Sequence, residues 1–109
     1  MNSDISDRLE LLKKQYADTF VAKRAEFAAA LDLVRSGAPE GIDTLRHLAH
    51  KLAGSGASYG FVELSGLAKR VEGAAIARQE SHSGSDAGGE LESRCQILIE
   101  QLDIESSNG

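Results

Sequence analysis

The sequence predicts an all-α fold: an antiparallel, up-and-down four-helix bundle with a short additional N-terminal helix, in a single domain over residues 1–109. Three observations carry this expectation. Apolar residues recur at three- and four-residue spacing along the chain, and no segment alternates with period two. Short breaks containing Gly, Pro or Ser separate the segments, and short links leave neighbouring helices antiparallel. Each segment carries one apolar stripe, which suits helices arranged around one core.

The elements follow in order. Ile5, Leu9 and Leu12 form one stripe that leads into Tyr16. Asp18 or Thr19 is placed to cap a second helix whose apolar residues are Phe20, Phe27, Leu31 and Val34. That helix stops at Ser36-Gly37, and Pro39, the only proline, suits the first turn of the next. A third helix carries Ile42, Leu45, Leu48, Ala49 and Leu52 and ends near Gly60, which reads as a C-cap. A fourth runs from about Phe61 through Leu64, Leu67, Ala68, Val71 and Ala75. Residues 81–89, SHSGSDAGG, form a polar connection without periodicity. The last helix uses Leu91, Cys95, Leu98 and Leu102 before a frayed SSNG tail. With every stripe consumed in one bundle, no second apolar face is expected, and the chain is expected to be a monomer.

Composition narrows the function. A chain of 109 residues with 41% apolar content folds around one modest core and has no room for a second, nucleotide-binding domain. A net charge of −5 argues against a nucleic-acid partner. The lone Cys95 forms no internal disulfide and reads as a buried small apolar residue. No apolar run reaches membrane-spanning length and the N-terminus is polar and acidic, so a cytoplasmic protein with no membrane association is expected.

The informative stretch is HLAHKLAGSGASYGF, residues 47–61. On a helical wheel Ile42, Leu45, Leu48, Ala49 and Leu52 share one sector. His50 falls roughly 130° from its centre and His47 nearly opposite, so both imidazoles face solvent. Gly54 lies one turn after His50 on the same face, with Ala53 and Ala57 alongside. A helix-interior glycine costs about 1 kcal/mol relative to alanine, so Gly54 and Gly56 need a reason. Small residues there let another protein bring a reacting group up to an exposed histidine. Close helix packing is the structural alternative for Gly54.

His50-Lys51-Leu52-Ala53-Gly54-Ser55, followed by Gly60 and then Leu64, Ala68 and Glu72, resembles the histidine-containing phosphotransfer (HPt) domain. That family's pattern reads H-x-L-K-G-S, then a glycine, then a Leu/Val-Glu near the end of the next helix. The match spans about residues 42–75, and a chain of this length resembles the free-standing members. The resemblance implies that His50 accepts a phosphoryl group from a phospho-aspartate on a response-regulator receiver domain and passes it to another. It implies receiver domains as partners, with a hybrid histidine kinase as a further one. No cofactor of the chain's own is expected, the Mg²⁺ being supplied by the receiver. The residues are compatible with this chemistry. A neutral imidazole is a good nucleophile near pH 7 and a competent leaving group afterwards. No G-x-x-x-x-G-K-[ST] motif, paired carboxylates or Ser/His/Asp arrangement suggests an independent kinase or hydrolase.

One departure stands out. Where the family has lysine three residues after the histidine, this chain has Ala53, and Lys51 points about 100° away from His50. Arg46, one turn before His50, or Lys69 on the next helix is the substitute phosphate contact. Ser65, Lys69, Glu72 and Ile76 share one flank of the fourth helix, and Glu72 matches the family position that can bond the second ring nitrogen. The residues leave two rival readings. Asp43, His47 and His50, spaced i, i+4, i+7, could form a surface zinc site, although neither Cys95 nor His82 is placed to add a ligand. A non-catalytic helical adaptor would use the same bundle to bind another helix.

Overall fold

The computed structural model describes residues 2–80 and 89–107. Five helices follow in order: α1 (Asn2–Ala17), α2 (Phe20–Arg35), α3 (Pro39–Ser58), α4 (Val62–Glu80) and α5 (Glu90–Ser107). Among the described residues there is no strand. Helices α2 to α5 form the bundle, each packed against two neighbours in the cycle α2–α3–α4–α5, with the most extensive contact between α3 and α4. The connection at residues 81–88, His82 with it, lies outside the described residues. Among the described residues no helix is long and apolar enough to cross a membrane.

The expected stripes meet in the centre. Phe20, Phe27, Leu31, Leu45, Leu52, Leu64, Val71, Leu91, Cys95, Leu98 and Leu102 are fully buried. Burying each large side chain contributes about 1.5–3 kcal/mol, which is why one stripe per helix holds so short a chain. Ile42, Leu48 and Leu67 border this core and are only partly buried. The buried hydroxyl of Ser65 is satisfied by donating to the Ala53 carbonyl at 2.7 Å, tying α4 to α3.

Two helix ends are made by glycine. Gly37 and Gly60 adopt positive φ, +84° and +86°, a region glycine enters without penalty. At the end of α3, Phe61 N–H donates to Gly56 O at 2.8 Å and Gly60 N–H to Ala57 O at 3.1 Å, a Schellman closure. The same pattern ends α2, where Ala38 N–H reaches Leu33 O and Gly37 N–H reaches Val34 O. Pro39 then opens α3 at its first turn, as expected.

The first helix departs from expectation in three ways. At 16 residues it is as long as α2 rather than short. Thr19 does not cap α2: it keeps helical dihedrals, and its hydroxyl donates back to Tyr16 O at 2.6 Å. With no Gly or Pro at the junction, α1 and α2 behave as one helix bent at Asp18–Thr19. The stripe, finally, is not consumed. Ile5, Leu9 and Leu12 remain 63%, 60% and 46% exposed. Only Tyr16 reaches the core, stacked on Tyr59 at 4.4 Å with its hydroxyl 2.5 Å from Ser55 Oγ. The premise of the monomer expectation, that no apolar face is left over, therefore does not hold.

The C-terminal end also differs. Ser106 and Ser107, expected to fray, are helical and donate their hydroxyls back to Asp103 O.

Candidate functional site

The exposed face of α3 presents His47, His50, Lys51, Gly54 and Ala57. The His50 side chain is 73% exposed, and its Nδ1 lies 2.8 Å from Glu72 Oε2 on α4. A carboxylate only accepts, so Nδ1 carries the proton and donates it. In the neutral ring this fixes the tautomer and leaves the Nε2 lone pair facing outward. The pairing follows from the packing of α3 on α4, which sets Glu72, only 24% exposed, against the lower edge of the ring.

Next to the ring is an open depression of about 290 Å³ lined by Asp43, Arg46, His47, His50 and Glu72. Arg46 enters it from one turn below His50. Its guanidinium donates to Gln79 Oε1 at 3.3 Å and stands 4.0 Å from Asp43 Oδ1. Lys69 stays exposed on α4 outside that depression. Lys51 lies on the other side of α3, lining a groove of about 340 Å³ against α2 with Lys23, Phe27 and Leu52. Of the basic residues singled out in the sequence, Arg46 shares the depression with the imidazole.

The small residues separate into two groups. Gly54 is exposed, and a Cβ built on it meets nothing within 4 Å, so internal packing does not require a glycine there. Ala57 is exposed as well. Ala53, expected beside them, is only 5% exposed and belongs to the core, so it is withdrawn as a partner contact. It lies at the edge of the apolar sector, and α4 comes close enough to cover it. Gly56 is buried too, and a Cβ there would sit 3.6 Å from Phe61 O and Ser65 N. These are ordinary contact distances, so the α3–α4 packing accommodates a methyl there, and the buried position gives no access from outside.

Asp43, His47 and His50 share the depression. Among the described residues, however, no three His, Cys, Asp or Glu side chains converge on a position that could hold a metal ion. The ring nitrogen of His50 that faces α4 is already taken by Glu72. Gln79 went unnoticed in the sequence. Its signal was present, since it follows Glu72 by seven residues and so shares that flank of α4.

This is a helical bundle carrying an exposed, carboxylate-paired imidazole on one face. The Hpt domain family model matches residues 4–105, nearly the whole chain. The chain belongs to that family, whose members carry out histidine phosphotransfer in phosphorelays and interact with response-regulator receiver domains and kinases. No curated protein and no solved structure matches the chain.

Proposed function

We propose that this chain is a relay intermediate, acting in the cytoplasm, in which His50 takes a phosphoryl group from the phospho-aspartate of one receiver domain and returns it to the aspartate of another. The observation that carries the reading is the ring itself, 73% exposed and held at Nδ1 by Glu72 at 2.8 Å. In the forward step the Nε2 lone pair forms the N–P bond as the bond from phosphorus to the aspartyl oxygen breaks. The aspartate leaves as a carboxylate with that electron pair. Nδ1 keeps its proton throughout, so the phosphorylated ring is cationic, and the Glu72 carboxylate offsets that charge. The reverse step has the same atoms in the opposite order and needs no general base.

Such a transfer depends on alignment and charge neutralisation more than on covalent machinery. The receiver supplies the Mg²⁺ and its own carboxylates, and this chain supplies the positioned imidazole and a docking face. Gly54 and Ala57 leave room for the receiver's backbone. The direct test is incubation with a phosphorylated receiver followed by mass spectrometry. Acid-labile, alkali-stable phosphate on the peptide containing His50 is expected. Absence of any phosphate, with a receiver still bound, favours the adaptor reading.

Arg46 takes the part of the lysine missing at position 53. Its guanidinium is about half exposed, so its worth against a phosphoryl group is up to about 1 kcal/mol, roughly a fivefold effect. Arg46→Gln is expected to shorten the phosphohistidine lifetime and slow transfer by that factor, with Lys51→Gln and Lys69→Gln closer to wild type. Equal effects from all three would indicate a diffuse field rather than a specific contact.

A further inference from the structure

Helix α1 stands clear of the bundle. The molecule measures 59 × 21 × 19 Å, whereas the 20-residue α3 is about 30 Å long. The remaining length is α1, itself about 24 Å, which shares no extensive contact with any other helix among the described residues. Its stripe of Ile5, Leu9 and Leu12 continues the line of Tyr16 but lies beyond the end of α3, where the bundle offers nothing to cover it. Tyr59 and Val62, 38% and 76% exposed, widen the apolar surface where α3 turns into α4. A single helix of this length is marginal in water, so its apolar face calls for a partner.

We infer that the stripe is a self-association surface: α1 pairs antiparallel with α1 of a second copy, Leu9 lying on the two-fold axis. The spacing of Ile5, Leu9 and Leu12 is that of a coiled-coil seam. Set antiparallel about Leu9, Ile5 of each copy comes within one residue, about 1.5 Å, of the level of Leu12 of the other, so the layers close on themselves as an isologous contact requires.

Charge selects the direction. The sequence of α1 balances three acidic residues with three basic ones, so the formal charge of −5 resides in the rest of the chain. A parallel pair would bring two acidic bundles side by side and set Arg8, on one flank of the seam, against Lys13 on the facing flank of the other copy. The antiparallel pair puts the bundles at opposite ends and sets the basic end of each helix level with the acidic end of its neighbour. The neutral charge of α1 gives no basic excess to hold it on an anionic membrane.

One helix of this length offers less than the roughly 800 Å² per partner of a standard interface, so the dimer is concentration-dependent rather than permanent. It also leaves the relay face free, since His50 lies nine residues before Tyr59, about 13 Å down α3. This inference does not depend on the role of His50.

The test uses the full chain. Sedimentation over a concentration series is expected to show monomer passing to dimer, and Leu9→Glu to remain monomeric with an unchanged melting temperature. Upon oxidation Leu9→Cys is expected to form a disulfide-linked dimer. Ile5→Cys alone is not, whereas a mixture of Ile5→Cys and Leu12→Cys links across. Native Cys95 does not interfere: burial pushes its thiol up to about 12. Wild type that stays monomeric throughout overturns the proposal. So does cross-linking of Ile5→Cys in preference to Leu9→Cys, which would mean a parallel pair. A monomeric wild type whose Leu9→Glu variant loses transfer from a receiver also overturns it and gives the stripe to the receiver.

Discussion

His50→Gln is expected to lose all phosphate uptake with helix content unchanged, while His47→Gln keeps most of it. The glutamine amide has no nucleophilic nitrogen lone pair to form the N–P bond. Its effect on folding is small because the His50 ring is mostly in solvent and its hydrogen-bond partner here is the partly exposed Glu72. His47 lines the same depression, and among the described residues no carboxylate bonds its ring nitrogens, so its tautomer and orientation are not held in the same way. Stability of the attached phosphate separates histidine from the hydroxyls of Ser55 and Ser58, because a phosphoramidate is lost in acid and kept in alkali. Uptake by the His50→Gln protein at the wild-type rate would overturn the assignment. Equal loss in both variants would direct attention to the depression as a whole.

Two glycines of α3 are expected to respond with opposite signs. An ideal Cβ on Gly41 falls 2.7 Å from Val34 N and 2.9 Å from Leu33 C, both backbone atoms of α2 that cannot rotate away. Gly41→Ala is therefore expected to destabilise the fold by about 1–3 kcal/mol through overpacking, despite the better helix propensity of alanine. Gly54→Ala meets no atom within 4 Å and should stabilise by up to about 1 kcal/mol. Urea denaturation reads both as shifts of the midpoint at constant slope. Gly54→Gln extends the contrast to function, since the fold accepts the side chain while a receiver approaching His50 does not. A neutral Gly41→Ala would mean that α2 and α3 are not in contact at that turn. Unimpaired transfer by Gly54→Gln would remove the access argument for this glycine.

The helices were legible because their signals are local. Periodicity marks each core stripe, Gly37 and Gly60 end their helices by entering positive φ, and Pro39 starts the next. The solvent exposure of His47, His50 and Gly54 was legible for a related reason: each lies far enough round α3 from the apolar sector that no plausible neighbour covers it. The partnership of His50 with Glu72 came from the family resemblance rather than from spacing, since nothing in a linear chain states how two helices are rotated against each other.

Tertiary structure decided the positions at the margins. Ala53 sits at the edge of its sector, where exposure depends on how closely α4 approaches, and α4 comes near enough there for buried Ser65 to donate to the Ala53 carbonyl at 2.7 Å. Arg46 lines the depression that holds the imidazole, with Gln79 and Asp43 beside its guanidinium, a placement set by helix register across the α3–α4 contact. The stripe of α1 is as regular as those of the bundle, and its sequence alone marks it for burial. It stays in solvent because burial needs an opposing surface at the same height, and α3 stops at Ser58. Periodicity thus determined which face of each helix seeks cover, and only the lengths and angles of the packed helices determined which faces found it.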